Sequence, residues 1–348
     1  MPSRTEKTTK VALVRAPPPN WPLPLQNRGW SGIRINILET IQAGLDLIRE
    51  AKAAGAELIA FPELWFPGFP KWREQNNWRK THLPSYIENS LEMGSPEWQS
   101  LMDGIKSAGI WTALGFSERA GQSIFMSQAL ISPEGEVVMH RRKLRPSGSE
   151  RDMFSDGTVD QLQVRNTPLG RVGMLQCAEQ FYPSMTFIMA AQRPKLHIGA
   201  WPMALDFDDD SDSIFYNASL VTRGAGSYAL NSGAYVLMPA VGYCFVYDPL
   251  MQIVAHMDNS VDYTEHPLLY HTLPTTELFS EATHDPNAQA SWAILQQLNE
   301  AFPAEIPREP GVLVPRQETS IEWMTSPKMQ WSEIGPATPW PADLPRDS

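Results

Sequence analysis

A short apolar run between two turns constrains the fold more than any other stretch of this sequence. After a turn at Gly170, residues 172–175 have the length and composition of a buried parallel strand. The run ends just before Cys177, and the apolar stretch 184–191 that follows predicts a helix. Open α/β sheets bind ligands at the edge where strands lead into helices. The sequence therefore predicts an α/β protein with Cys177 at that edge.

Predicted strands and helices alternate along the rest of the chain. Apolar residues recur at helical spacing at Ile37, Ile41, Leu45 and Ile48, and a buried strand over residues 58–61 follows. Apolar runs and turn residues predict further helices over residues 95–108 and 291–301, and a shorter one over residues 225–230 within the stretch 220–233. They also predict strands over residues 10–15, 110–116, 127–131, 136–140, 198–202, 235–238, 243–247, 252–256 and 268–273. This alternation favours a parallel sheet.

The length of 348 residues allows one large α/β domain or two smaller ones. We assign residues 1–280 to a single domain, because nearly all predicted strands and helices lie there. Residues 281–348 contain one helix and then a Pro-rich stretch from Pro303 onward. Pro-rich chain is stiff and extended, so we expect an interface arm along another surface or a partly disordered extension.

Charge and composition exclude several classes of partner. The net charge of −11 argues against nucleic-acid binding, and no uncharged apolar run has the length of a membrane span. Two cysteines, Cys177 and Cys244, do not make a disulfide framework, which favours a reducing compartment. The N-terminus is polar and lacks the apolar region of a signal peptide, so we expect a cytoplasmic protein. The seven histidines lack metal-ligand spacing and no Gly-rich phosphate loop is present, so we expect no metal or cofactor.

Glu63 is the first candidate catalytic residue. It follows the strand predicted over residues 58–61 and has apolar and aromatic neighbours, including Trp65. Such neighbours remove water from a carboxyl group and raise its pKa toward the range of a useful general base. Alternatively, Glu63 caps a neighbouring element or forms a structural ion pair.

Lys143 is the second candidate and belongs to the basic run 141–145. A basic run is often a solvated face or a patch for acidic ligands. Here it directly follows an apolar strand, where an ammonium group can stabilise a developing negative charge. Glu150 is close enough in sequence to hold or polarise Lys143.

Cys177 is the third candidate. A lone cysteine is often a small buried apolar residue. At the end of a strand, however, N–H groups at the start of a helix would favour its thiolate form. Cys244 lies inside a predicted strand, and we assign it to the buried interior.

Together, Glu63, Lys143 and Cys177 resemble the Glu–Lys–Cys triad of the nitrilase superfamily, the carbon–nitrogen hydrolases. Residues 61–68 (Phe-Pro-Glu-Leu-Trp-Phe-Pro-Gly) are similar to the family's general-base motif, and residues 170–179 to its nucleophile motif. Residues 142–151 are similar to its lysine motif in the form seen in nitrilases and cyanide hydratases. Residues 197–202 resemble the strand that follows the nucleophile. The resemblance covers roughly residues 10–280 and rests on three ordered motifs at family spacing.

The resemblance implies an αββα sandwich whose catalytic residues meet at the sheet edge: Glu63, Lys143, Cys177 and Glu150. It implies hydrolysis of a small nitrile to the carboxylic acid and ammonia through a thioimidate and a thioester on the cysteine. It also implies a homo-oligomer, either a dimer or a larger spiral. Four residues beside the motifs are candidate substrate contacts: Trp65, Ala178, Glu179 and Trp201.

The sequence departs from the family pattern at Ala178. The nitrilase branch usually has Trp directly after the nucleophile, so we expect Ala178 to reshape the pocket and change the substrate. Trp201 or Tyr243 are bulky residues that can fill the space instead. The usual His-Tyr-x-Arg-Pro pattern is also missing, and residues 283–286 are only loosely similar to it.

Two alternatives to a nitrilase remain open. An amide-forming hydratase, or an amidase, of the same superfamily would act on a nitrile or amide with the same triad. A protein of another class, a catalytically silent assembly or binding subunit, would keep the fold without turnover. The sequence alone does not decide among these functions.

Overall fold

Two six-stranded mixed sheets form the centre of the protein. The computed structural model describes residues 8–19, 21–22, 30–71, 76–209, 212, 214–274, 278, 292–301 and 316–327. The first sheet contains β1 (Thr8–Val14), β2 (Leu58–Ala60), β3 (Trp111–Ala120), β4 (Ser123–Ile131), β5 (Val137–Arg142) and β14 (Leu268–Pro274). Its order is β14-β1-β2-β3-β4-β5. The central strands β1, β2 and β3 are parallel, and the outer pairs are antiparallel.

The second sheet contains the strand that precedes Cys177. It contains β6 (Arg165–Thr167), β7 (Gly170–Gln176), β8 (Leu196–Ala200), β10 (Tyr235–Met238), β12 (Cys244–Tyr247) and β13 (Ile253–Met257), in the order β13-β12-β10-β8-β7-β6. The strands β7, β8 and β10 are parallel, as the apolar runs predict. A separate short pair joins β9 (Met203–Ala204) to β11 (Val241–Gly242).

The described helices are α1 (Ile37–Ala53), α2 (Asn76–Glu88), α3 (Pro96–Ala108), α4 (Pro183–Ala190), α5 (Ala218–Ser232), α6 (Trp292–Ala301) and α7 (Ile321–Thr325). The bounds of α3 follow from its capping residues, because the Ser95 hydroxyl accepts from Trp98 N and Gly109 adopts φ 63° after the last turn. The helix α2 is 13 residues long and contains Pro84. None of the described helices is both long and apolar enough to cross a membrane.

Apolar side chains of the two sheets form one buried cluster, which shows that the sheets pack face to face. Val11, Leu58 and Leu130 come from the first sheet, and Val172 and Leu196 from the second. A second cluster packs α1 and α3 on the outer face of the first sheet, and a third packs α4 and α5 on the outer face of the second. The layers are therefore helix, sheet, sheet, helix, and the predicted αββα architecture is confirmed.

Part of the C-terminal extension packs against the first sheet of its own chain. Ser320 pairs with Ser123 in an antiparallel bridge, and Met324 of α7 is fully buried. Residues 302–315 and 328–348 lie outside the described residues, so the interface arm expected there stays a prediction.

Candidate active site

Each of the three candidate residues lies just beyond the end of a strand. Glu63 follows β2 by three residues, Lys143 directly follows β5, and Cys177 directly follows β7. Two of them thus come from the first sheet and the nucleophile candidate comes from the second. The site is built where the ends of the two stacked sheets meet.

Trp201 joins the two sheets at this point. Its carbonyl oxygen accepts a hydrogen bond from Glu63 N at 3.2 Å. In the parallel ladder between β7 and β8, Gln176 is paired with Ala200. The residues that follow this pair, Cys177 and Trp201, therefore leave neighbouring strands side by side, and Trp201 links the cysteine strand to the Glu63 backbone.

Two residues of the site have a left-handed backbone that side chains rarely adopt. Cys177 has φ 47° and Leu64, directly after Glu63, has φ 52°. Cys177 also begins a short 3-10 helix, Cys177–Phe181. Because such conformations persist where the surroundings enforce them, they are often found at functional sites. Here they mark the two turns that present the carboxyl group and the thiol.

Lys143 lies between two carboxyl groups. Its Nζ is 3.1 Å from Glu63 Oε2, 3.4 Å from Glu63 Oε1 and 2.9 Å from Glu150 Oε2. Glu150 Oε2 also accepts from Ser147 N at 2.6 Å, which fixes the glutamate. Lys143, Glu63 and Glu150 are 0%, 1% and 3% exposed, whereas Cys177 is 7% exposed. The contact of Glu150 with Lys143 expected from the sequence is present.

Burial governs the protonation of these groups. It raises the pKa of Glu63 to about 8, with Lys143 opposing the shift and the Glu150 carboxylate adding to it. Burial alone would lower the pKa of Lys143, but the carboxylates of Glu150 and Glu63 raise it well above its usual value. Lys143 therefore stays an ammonium, while Glu63 can take up and release a proton near neutral pH.

Burial also raises the pKa of the Cys177 thiol well above its usual value, and the charge of Glu63 adds to this shift. Lys143 and the Ala178 N–H act in the opposite direction but are outweighed. The sequence-based expectation of a favoured thiolate is therefore wrong. The resting group is a thiol, which needs a base to become a nucleophile.

Glu179 connects the lysine turn to the nucleophile turn. Its Oε1 accepts from Arg141 Nη2 at 2.6 Å and from Leu144 N at 2.8 Å, and its Oε2 accepts from Gln176 N at 2.8 Å. Arg141 is 0% exposed and Glu179 is 1% exposed. One buried carboxylate thus holds the residue after Lys143 and the residue before Cys177.

Two of the predicted substrate contacts, Glu179 and Trp65, have their polar atoms bound to protein groups. Glu179 directs its carboxylate to protein groups rather than to a ligand. Trp65 packs against the rings of Phe61 and Phe66, and its Nε1 donates to Ala16 O at 2.9 Å. Both side chains hold loops in place, because their polar atoms are already satisfied within the protein.

Ala178 and Trp201 stay candidate substrate contacts. Both belong to the buried apolar cluster that includes Cys177 and Tyr243. The Trp201 ring also packs on Phe181, with ring centres 5.4 Å apart. Trp201 and Tyr243, the two residues considered for the space beside Ala178, are therefore part of the same cluster.

Sequence reasoning missed the supports of this site. Arg141 was seen as part of a basic run, and its burial depends on Glu179, which is distant in sequence. Gln317 in the C-terminal extension was also missed: its side-chain amide donates to Arg151 O at 3.2 Å, and its N donates to Asp156 Oδ2 at 2.8 Å. These contacts brace the turn that carries Glu150. In the part of the chain that the structure describes, no three His, Cys, Asp or Glu side chains are grouped to hold a metal ion.

The sequence matches the carbon–nitrogen hydrolase family over residues 10–273. The chain belongs to this family. The matched region includes Glu63, Lys143 and Cys177 and nearly all residues of both sheets.

Known relatives support this assignment. A cyanide hydratase of Penicillium rubens is 36% identical over 242 residues, covering 67% of this chain and 63% of the relative. An arylacetonitrilase of Hypocrea virens is 34% identical over 233 residues, covering 67% of each protein. A solved nitrilase-superfamily member of Saccharomyces cerevisiae shares the fold with a TM-score of 0.56 at 17% identity, over 78% of this chain and 92% of the other. The chain spans less than two thirds of the length of the cyanide hydratases that it matches.

Proposed function

We propose that this protein hydrolyses a nitrile to the carboxylic acid and ammonia, with Cys177 as nucleophile, Glu63 as general base and Lys143 as electrostatic stabiliser. The observation that carries the proposal is the Lys143 ammonium held within 3.1 Å of Glu63 and 2.9 Å of Glu150, beside a buried thiol. Because its pKa is raised to about 8, Glu63 is a stronger base toward the Cys177 thiol than an ordinary carboxylate would be, which partly offsets the raised pKa of the thiol.

The first half of the reaction forms a covalent intermediate. Glu63 takes the thiol proton as Cys177 sulfur attacks the nitrile carbon, which forms a C–S bond and breaks one C–N π bond. The nitrogen receives the proton, and the product is a thioimidate. Lys143 stabilises the negative charge that develops on nitrogen, because its ammonium is held in a site that excludes water.

The second half uses two water molecules. Glu63 activates the first water, which adds to the thioimidate carbon and gives a tetrahedral intermediate. When this intermediate expels ammonia, a thioester remains on Cys177. The second water breaks the C–S bond and releases the carboxylic acid, and the proton returns to the thiol.

Product formation by a Cys177→Ala variant tests the proposal. The parent protein should release ammonia and acid from a panel of aliphatic, aromatic and arylacetonitrile substrates. We expect Cys177→Ala to fold and release none, while Cys244→Ala keeps the parent activity. Full turnover by a folded Cys177→Ala protein would overturn the nucleophile assignment. No turnover by the parent, together with an unreactive Cys177, would favour a silent assembly or binding subunit.

An amide-forming hydratase is the second candidate function, favoured by the cyanide hydratases among the relatives. The two functions diverge at the tetrahedral intermediate, which releases an amide if it expels the thiolate instead of ammonia. An amidase would enter the same pathway from an amide. Mass analysis of the products distinguishes them, since an amide as the main product from a nitrile would replace the first proposal.

We also propose that the protein acts as a homo-oligomer. Four exposed apolar side chains lie close in sequence on the β12–β13 turn and on β13: Leu250, Met251, Ile253 and Val254. Exposed apolar side chains that occur close together are one feature of protein interfaces. Light scattering at micromolar concentration should detect a species larger than a single chain, and a single-chain mass would contradict the proposal.

A further inference from the structure

A segment of the C-terminal extension is bonded to the turn that carries Glu150. We call residues 147–157 the Glu150 turn. Gln317 Nε2 and Thr319 Oγ1 each donate to Arg151 O at 3.2 Å, and Gln317 Nε2 lies 3.0 Å from Thr319 Oγ1. Thr319 is 2% exposed and Arg151 is 7% exposed, so these contacts are shielded from water. Two joined side chains therefore hold the residue directly after Glu150.

The backbone of the same segment is bonded to the far end of the Glu150 turn. Gln317 N donates to Asp156 Oδ2 at 2.8 Å, and Asp156 N donates to Gln317 O at 3.0 Å. Thr319 N donates to Ser155 Oγ at 2.8 Å. Both Ser155 and Asp156 are buried. One segment, 161 positions away in sequence at Gln317 and Asp156, thus holds the turn at two places.

The Glu150 turn also contacts the backbone of Lys143. Gly157 N, directly after Asp156, donates to Lys143 O at 2.9 Å. A Cβ atom on Gly157 would lie only 2.9 Å from Lys143 O, so the turn passes Lys143 at a distance that only glycine allows. The C-terminal segment is therefore connected to both members of the Lys143–Glu150 pair.

Glu150 itself lies in a short helix. This five-residue 3-10 helix spans Gly148–Asp152, and the hydrogen-bond geometry of such helices is poorer than that of an α-helix. One carboxylate oxygen, Glu150 Oε2, accepts both from Lys143 Nζ at 2.9 Å and from Ser147 N at 2.6 Å. A small rotation of the helix would weaken both bonds at once, so the position of Glu150 depends on contacts from outside the helix.

We propose that Gln317 and Thr319 are positioning residues, which hold Glu150 against Lys143 and so sustain the rate of the chemical step. The inference rests on the proposed function for the reaction, whereas its structural part concerns the Glu150 turn alone. Both residues act through Arg151 O. Because Lys143 is the proposed stabilising charge, its alignment matters, and a misplacement of about 1 Å can slow an enzyme by about 10²-fold.

Replacing the two side chains should loosen the Glu150 turn locally. Gln317→Met and Thr319→Val remove both donors to Arg151 O and keep similar side-chain sizes, while the backbone bonds to Ser155 and Asp156 remain. We expect Gln317→Met/Thr319→Val to lower kcat about tenfold with KM near the parent value. Gln317→Met alone should have a smaller effect, because the Thr319 hydroxyl still donates. Gln317→Met/Thr319→Ser keeps that hydroxyl and should match Gln317→Met.

A double-mutant cycle with Glu150→Gln tests whether the effect passes through Glu150. Added to Glu150→Gln, the changes Gln317→Met/Thr319→Val should lower kcat by less than about twofold, because the charge that they position is already gone. An undiminished tenfold loss in this background would overturn the inference. A loss confined to KM would do the same.

Hydrogen exchange followed by mass spectrometry tests the structural part without a substrate. Peptides covering residues 147–157 should exchange faster in Gln317→Met/Thr319→Val, whereas peptides covering β7 should exchange at the parent rate. Unchanged exchange at 147–157, or an equal increase throughout the protein, would contradict the proposed positioning. If the parent converts no nitrile, the proposed function fails, whereas this measurement still decides whether the segment holds the Glu150 turn.

Gln296→Met/Thr325→Val is the matched control, because it makes the same two substitutions at exposed positions of the C-terminal extension. Gln296 Nε2 donates to Glu300 Oε1 at 2.7 Å, and Thr325 Oγ1 donates to Ile321 O at 2.8 Å. Its kcat and its exchange at residues 147–157 should equal those of the parent. A fall in kcat equal to that of Gln317→Met/Thr319→Val would show that the bonds to Arg151 O have no special role.

Discussion

Lys143 Nζ lies 3.1 Å from Glu63 Oε2, and both side chains are shielded from water. Lys143 thus places a fixed positive charge beside Glu63, the proposed general base. Because charge fixed in advance needs no reorganisation during the reaction, we expect it to supply much of the catalytic effect.

Lys143→Met should lower kcat/KM for nitriles by about 10²–10³-fold, the usual loss when one such stabilising donor is removed. The variant leaves Glu63 and Glu150 facing each other without a cation, so the pKa of Glu63 should rise further. Steady-state kinetics with the folded variant measure the loss. If the lower kcat/KM came only from a higher KM, with kcat unchanged, Lys143 would contribute to substrate binding and not specifically to the transition state.

The pH dependence should follow Glu63. Since its pKa is raised to about 8, the carboxylate needed as a base forms as the pH rises through that value, and kcat/KM should rise with it. Glu150→Gln removes a like charge that raises the pKa of Glu63, so the rising limb should move to lower pH. As a control, Glu92→Gln alters the exposed ion pair between Arg119 and Glu92, and it should leave the rising limb of the pH profile in place. A limb that moves to higher pH in Glu150→Gln would contradict this assignment.

Glu179→Gln should destabilise the fold strongly. It leaves Arg141 without its buried anionic partner, a loss that typically costs about 3–5 kcal/mol in free energy of unfolding. Urea denaturation measures this cost, and Glu92→Gln provides the surface control with an effect of about 0–1 kcal/mol. The double variant Arg141→Met/Glu179→Gln should be more stable than Glu179→Gln, since no unpaired charge remains. If Glu179→Gln and Glu92→Gln lost the same free energy of unfolding, Glu179 would not anchor the two turns.

Ala178→Trp should change selectivity by size. Ala178 lies in the buried cluster of Cys177, so an indole there competes with the substrate for space. We expect turnover of the largest accepted nitriles to fall at least about tenfold relative to the smallest. The measurement is the ratio of kcat/KM for a large and a small nitrile in both proteins. An unchanged ratio would mean that the volume beside Cys177 does not limit substrate size.

Local sequence patterns predicted many of the strands and helix ends, because these features depend on residues that are close in sequence. The apolar run before Cys177 became β7, and Ser95 and Gly109 became the caps of α3, since strand burial and helix capping depend on neighbouring residues. Only the family resemblance predicted that the strand ends carrying Glu63, Lys143 and Cys177 lie close together. Spacing alone does not reveal that β5 and β7, in different sheets, end at one place.

Pairing between distant residues could not be predicted in the same way. Glu179 follows the nucleophile in sequence as a substrate-contacting residue would, yet its partners include Arg141 on another sheet. Lys71 and Asp212 form an ion pair although they are 141 positions apart, and an aspartate within an acidic run looks like a solvated loop until its partner is known. The raised pKa of Cys177 likewise depends on burial, which the sequence around the thiol does not determine.

The division of the site between two sheets has a consequence for the chain as it folds. The base and the ammonium follow strands of the first sheet, whereas the thiol follows a strand of the second. A partly folded chain with either sheet alone therefore holds a base without a nucleophile, or a thiol without a base. Because burial raises the pKa of the Cys177 thiol, enclosure alone does not activate it; Cys177 gains its base only when the two sheets stack.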